Sequence, residues 1–224
     1  MITAGLAGVL AGSLLWMDRV FIFQFMVSRP LVMGPLVGFI MGDVRVGIII
    51  GASLELLWLN APPVGSYLPN DESFCTAVAV PVAVLAASFM EHTAAAGLSL
   101  LLSLPASIVG RYLDMRLRTF NEGLITPGAP ISEKDVSGAL RKAVLRAFVL
   151  AFAVISLSAS CLVAVIHAIK GFLPRAVTAP LTYVPFACII IGLAALVSRD
   201  LPRKSHAGLF AIGMAFVLLI TWML

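Results

Sequence analysis

Charge is what this sequence has least of. Asp, Glu, Lys and Arg make up 12% of its 224 residues, against about 25% in an ordinary soluble domain. With 61% hydrophobic residues and a mean hydropathy of +1.07, this scarcity excludes a soluble globular domain and indicates an integral membrane protein. Cysteine is scarce as well. Cys75, Cys161 and Cys188 are odd in number, widely spaced and all inside apolar runs. That pattern excludes a disulfide framework or a zinc site and predicts small buried hydrophobes. His92, His167 and His206 are far apart and none stands at ligand spacing from a Cys, Asp or Glu, so neither a metal nor a phosphohistidine role is expected. No Gly-rich phosphate loop and no Ser/His/Asp arrangement appears, and neither catalysis nor a bound cofactor is expected. The apolar run from Ile2 to Met17 has no basic segment before it, so it is expected to be retained structure and not a cleaved signal peptide.

The few charges that exist are unevenly placed. The formal charge of +4 comes from 15 basic and 11 acidic residues, and seven of the basic ones lie between Arg111 and Arg146. Arg199, Arg203 and Lys204 form a second cluster. Basic loops stay on the cytoplasmic side of a membrane, so the clusters describe topology and not nucleic-acid binding.

Apolar runs long enough for five to seven crossings, at roughly 20 residues each, fill the chain. Residues 2–17 are rich in small side chains, with Gly8 and Gly12 spaced for close helix approach. Residues 20–29 have an interfacial composition. Leu31 to Met41 and Val46 to Ala61 are both short for a crossing and are joined by Gly42-Asp43. They fit a re-entrant hairpin or tilted helices within a bundle, of which the hairpin is the favoured reading, with Asp43 as N-cap of the second helix. Phe74 to Met90 and Thr93 to Gly110 follow as two spans, with Pro81 and Pro105 as expected kinks. Residues 111–142 are expected as a polar cytoplasmic loop whose end, Ser132-Glu133-Lys134-Asp135, opens an amphipathic helix with a capping box. Three more spans, Ala143 to Ile169, Leu181 to Ser198 and Ala207 to Leu224, complete an all-α polytopic bundle in one membrane domain, 1–224. Its parts are 1–110, the loop 111–142 and 143–224. With both basic clusters inside, His92 and the 170–180 connection fall outside and residues 18–30 fall inside.

One segment carries the functional signal. Glu55 is the lone charged residue between Arg45 and Asp71. An ionised group at membrane depth costs roughly 2.5 kcal/mol or more, so it marks a site by default. Gly42, Gly47, Gly51, Pro62, Pro63, Gly65 and Pro69 surround it, and a broken backbone at that depth is tolerated only inside protein or along a wet cavity. Glu55 would accept hydrogen bonds from the hydroxyls of a polar solute; equally, it would pair with Arg45 or Arg29, or cap a broken helix end. Asn60, Ser66, Asn70 and Asp71 flank the Pro/Gly loop and offer groups suited to a hydroxyl, or simply turn chemistry.

The string G-D-x-x-x-G-x-x-x-G-A-x-L-E-L-x-W-L from Gly42, followed by a P-x-G turn and Pro69-Asn70-Asp71, resembles the type IIC membrane subunit of the mannose/fructose/sorbose family of the phosphoenolpyruvate-dependent sugar phosphotransferase system. Ser28-Arg29-Pro30-Leu31 and Pro35-Leu36-Val37-Gly38 resemble the family's N-terminal segment, and the likeness covers residues 12–80. Asp18 and Gln24 resemble an acidic-plus-glutamine pair of that segment, at a different spacing from Arg29. Leu59 to Gly65 approximates the family's turn after the glutamate without copying it. The resemblance implies a sugar-translocating subunit that binds a hexose through Glu55, Asn60, Ser66, Asn70, Asp71 and Gln24. It further implies a IID membrane partner in an oligomer of heterodimers, soluble IIA and IIB phosphocarriers, and a multi-pass location in the bacterial inner membrane. The basic 111–142 loop would meet an acidic IIB surface. Two other readings fit a chain of this kind: the solute-binding membrane component of an ATP-driven importer, and a non-transporting scaffold or sensor.

Overall fold

Side chains that are apolar all round belong at the centre of a bundle, and the segment after Asp71 is of that kind. The computed structural model describes residues 2–59, 68–125 and 132–199, with isolated positions beyond (205, 208, 210–213 and 215). Its described elements are helical: α1 (Ile2–Met17), α2 (Pro30–Met41), α3 (Val44–Leu57), α4 (Glu72–Ala86), α5 (His92–Ser103), α6 (Ala106–Glu122), α7 (Glu133–Ile169), α8 (Arg175–Leu181) and α9 (Val184–Arg199). Helix α4 is the axis. Every residue from Ser73 to Ala83 is buried, and α1, α2, α3, α5, α6 and α7 all pack on it. It runs unbroken through Pro81.

The expected hairpin is α2 followed by α3, the most extensive helix pair in the fold. Gly42 closes α2 in the left-handed conformation (φ 86°), where a side chain would be strained. The Asp43 carboxylate then accepts the Val46 amide at 3.0 Å and caps α3 as expected. Gly34 and Gly38 of α2 face Gly47 and Gly51 of α3; a methyl on Gly47 would fall on the Gly34 carbonyl, and one on Gly51 on the Pro30 carbonyl. The two backbones touch because no side chain intervenes. Gly12 of α1 packs on Ala77 of α4 less tightly, an added methyl coming to 3.1 Å from the Ala77 Cβ. At its tip the hairpin reaches the α4–α5 turn, where Asp43 Oδ2 lies 3.5 Å from His92 Nε2.

Several sequence expectations need correction. Residues 111–142 are not mainly loop: α6 continues to Glu122, and the capping box at Ser132 and Asp135 starts a helix that runs on through the expected span to Ile169. The box itself forms as expected, with Ser132 Oγ and Asp135 bonding reciprocally. Polar composition marked exposure there, and amphipathic helices are exposed on one side. The Pro105 kink is present, as a 44° bend between α5 and α6. Cys75 and Cys188 are buried, but Cys161 faces outward from α7. The 207–224 span falls largely outside the described residues, as do Arg203 and Lys204.

Large apolar side chains also cover the outside, among them Leu6, Leu14, Leu145, Leu157, Ile190 and Ile191. Among the described residues, Glu133–Phe172 is the one helix long and apolar enough to cross a membrane alone. The pairs α5/α6 and α8/α9, each bent by 44°, have the length and composition of a broken span or a re-entrant loop, beside shorter apolar helices at α1, α2 and α4.

Candidate functional site

The C-terminal end of α1, the first turns of α2, α4 and α6, and the last turn of α3 meet at one end of the bundle, and most of the buried charge is there. Asp71 caps α4, accepting the Phe74 amide at 2.8 Å. Its other oxygen accepts Trp16 Nε1 and Arg19 Nη1, both at 2.8 Å, and its own amide donates to the Ser107 carbonyl at 2.9 Å. Asp71 is fully buried, and its bonds tie α1, α4 and α6 together. Arg19 Nη1 also lies 4.0 Å from Asp114 Oδ2, and Asp114 holds Arg118 one turn on, at 3.1 and 3.2 Å.

Beside this latch lies a more open group. Glu55, in the last turn of α3, pairs with the Arg29 guanidinium and accepts the Leu31 amide at 3.4 Å, so a carboxylate sits at the positive end of α2. Of the partners the sequence offered for Glu55, the structure selects Arg29. Arg29 Nη1 is also 3.7 Å from Glu72 Oε1, the residue after Asp71. Arg29 is 43% exposed, Glu55 13% and Glu72 18%. One half-exposed arginine thus lies between two partly exposed carboxylates, where a polar solute has both donors and acceptors within reach.

The loop between α1 and α2 closes the same end. Asp18, buried, accepts the amides of Phe25 (2.8 Å) and Ser28 (3.3 Å). Phe23, Gln24 and Met26 all have positive φ, at 53°, 59° and 64°. Backbone strain of this kind costs of order 1 kcal/mol or more per residue and persists only where surroundings impose it; the Asp18 bonds supply that constraint. Gln24 is exposed and donates to the Val20 carbonyl at 3.0 Å. Asn70 is half-buried just before Asp71. Asn60 and Ser66 lie outside the described residues. The fold therefore brings Glu55 next to Glu72 and Asp71, and sets Gln24 on the neighbouring loop.

Sequence reading did not single out Trp16, Arg19, Glu72 or Asp114 as members of this network. Only Asp114 left a local trace, as a carboxylate four residues before Arg118 in α6. Arg19 and Trp16 are 52 and 55 residues from Asp71, beyond any local pattern.

The full chain, residues 1–224, matches the sequence family described as PTS system sorbose-specific IIC component. The chain belongs to that family. The resemblance seen over residues 12–80 thus extends to residues 1–224. The putative N-acetylgalactosamine permease IIC component 2 of Escherichia coli (strain K12) is 49% identical to this IIC chain over 45 residues, covering 20% of this chain and 34% of that protein. The PTS system mannose-specific EIIC component of the same strain is 30% identical over 96 residues, 43% of this chain and 34% of the relative. The matched stretch spans about a third of the length of these curated relatives. A solved structure described as a membrane protein shares the fold, with a TM-score of 0.68 and 16% identity over 99% of this IIC chain and 96% of its own.

Proposed function

We propose that this IIC chain binds a hexose-type sugar at the Arg29–Glu55–Glu72 end of the bundle and carries it across the bacterial inner membrane. The observation that carries the proposal is the half-exposed arginine shared by two carboxylates at the mouth of the glycine-packed hairpin. A sugar hydroxyl both donates and accepts. Glu55 and Glu72 take the donated hydrogens and Arg29 supplies them, so an arriving sugar exchanges one set of charge-assisted bonds for another. Each such bond contributes roughly 1.5–3 kcal/mol. Asn70 and Gln24 lie on the flanking segments, and Asn60 and Ser66 join the candidate set from the sequence. Asp71 acts one layer behind, holding Glu72 and the start of α4 in place.

The IIC subunit itself performs no phosphoryl transfer. A soluble IIB protein phosphorylates the sugar through its phosphohistidine, a IIA protein recharges IIB, and a IID subunit completes the membrane complex as an oligomer of heterodimers. The candidate site lies at the same end as Asp114 and Arg118, where the basic segment from Arg111 to Arg146 begins. With basic segments on the cytoplasmic side, that end is where a soluble phosphorylating partner works. The phosphorylated sugar is then a dianion that cannot return through hydrocarbon. Membership in the IIC family disfavours the importer-component and sensor readings.

The test is uptake of radiolabelled hexoses by cells expressing this chain with IIA, IIB and IID partners, comparing wild type with Glu55→Gln. Sugar phosphate is expected to accumulate with the wild type and to be lost with the variant. Unchanged uptake by an inserted variant would remove Glu55 from the site, and no uptake of any sugar by the assembled wild type would remove the transport function.

A further inference from the structure

At the end of the bundle opposite the charged cluster, α7 leaves a groove against α1 and α4. Its volume is about 660 Å³, and its floor is a stripe on α7 with Ser156, Ser160, Val163 and Ala164 at helical spacing. Gly5 and Leu6 of α1 form one wall, and Leu85 and Phe89 close the other. The Ser156 hydroxyl is buried and makes no hydrogen bond. His167 lies at the far end, and Lys170 sits directly beyond it: Lys170 Nζ is 3.2 Å from His167 Nδ1 and 4.6 Å from the centre of the Phe89 ring. Glu91, two residues after Phe89, is occupied by Thr93 and the Ala94 amide at the start of α5.

Two magnitudes decide what fits. From Ser156 to Ala168 the floor is about 18 Å long at 1.5 Å per residue. A volume of about 660 Å³ over that length leaves roughly 37 Å² of cross-section, room for an extended alkyl chain. The second magnitude is depth. Between Arg146 and Lys170 α7 has no Asp, Glu, Lys or Arg, a rise of about 35 Å that matches the ~30 Å hydrocarbon core. Lys170 therefore stands at headgroup level, with the apolar groove running inward from it.

We infer that this groove holds one acyl chain of an anionic phospholipid whose phosphate rests on Lys170 and His167. The site is independent of the sugar site and of transport. The full chain, purified in detergent, is incubated with dioleoyl phosphatidylglycerol or dioleoyl phosphatidylcholine, and retained lipid is counted by native mass spectrometry. One phosphatidylglycerol is expected to stay bound. Lys170→Glu, at an exposed position that leaves the fold intact, is expected to lower its retention about fivefold or more, the effect of one lysine at a membrane surface. Ala164→Phe, which fills the groove, is expected to remove both lipids. Equal retention of the two lipids, or an unchanged Lys170→Glu, would overturn the assignment. So would displacement by inorganic phosphate, which would mark an anion site without a tail, or capture of a second copy of the chain by a photoreactive residue at position 164.

Discussion

Asp71 has no contact with solvent and accepts from three donors, whereas Glu55 shares a half-exposed arginine with Glu72. Removing the charge has different consequences at the two positions. Asp71→Asn leaves Arg19, only 15% exposed, without its closest counter-charge. Breaking a pair of that kind is expected to destabilise the protein by about 3 kcal/mol, read as a lowered midpoint of thermal unfolding in detergent. Glu55→Gln frees an arginine that water reaches easily, so its stability cost is expected to stay below about 1 kcal/mol while sugar uptake is lost. A Glu55→Gln variant as unstable as Asp71→Asn would make Glu55 a structural residue. The contrast also explains what sequence reading reaches at this scale. Glu55 stood out because it is the only charge in a long apolar run, and Arg29 was among its expected partners. Asp71 looked like a turn residue because its cap bond to Phe74 is local, and the bonds to Trp16 and Arg19 that give it weight are not.

Elements whose causes are local were the most legible. Asp43 capping α3, Ser132 with Asp135 opening α7 and the bend at Pro105 each depend on residues within four positions of one another. The fusion of the polar 132–142 stretch with the following span into one helix of 37 residues was not legible, since polarity and helix length are separate properties. Two predictions belong to this scale. Gly47→Ala gains about 1 kcal/mol in helix propensity, but its methyl meets the Gly34 carbonyl, which unlike a side chain cannot rotate away. Overpacking costs about 1–3 kcal/mol, so a net loss of stability and a drop in uptake are expected, and a variant as stable as wild type would show that the hairpin yields. At the start of α7, Asp135 is held below the ordinary carboxylate range, chiefly by the Ser132 hydroxyl and then by the Ser132 amide. A depressed folded-state value means that the cap stabilises the helix above the unfolded carboxylate value and is lost as pH falls through the folded one. Amide exchange over residues 134–138 is therefore expected to accelerate relative to the rest of α7 only below the ordinary aspartate value, about pH 4, and Ser132→Ala is expected to remove that pH dependence.

Across the whole molecule, the two ends of the bundle differ in chemistry. One end gathers Arg19, Arg29, Glu55, Asp71, Glu72 and Asp114 and continues into the basic extension of α6 and α7; the other presents the hairpin tip, the α4–α5 turn and Lys170. Nothing in a bundle by itself says which end faces the cytoplasm, so orientation rests on the seven basic residues between Arg111 and Arg146. The native thiols make this testable without removing them. Cys75 and Cys188 are buried, and Cys161 lies 15 residues beyond Arg146 on an apolar face of α7, about 22 Å into the hydrocarbon at 1.5 Å per residue. None is expected to react with a membrane-impermeant maleimide. Ser132→Cys is expected to label in inside-out vesicles and not in intact spheroplasts. Gly171→Cys, at a position where an added side chain meets nothing within 4 Å, is expected to show the opposite pattern. The reverse result at both positions would place the Arg29–Glu55–Glu72 group on the outer side, where sugar arrives instead of where it is phosphorylated. Transport would then require the hairpin to carry that group through the full depth of the bundle before a soluble partner met its substrate. With the expected labelling, the half-exposed Arg29 faces the cytoplasm, and the proposed transport requires a motion that exposes the same arginine to the outside.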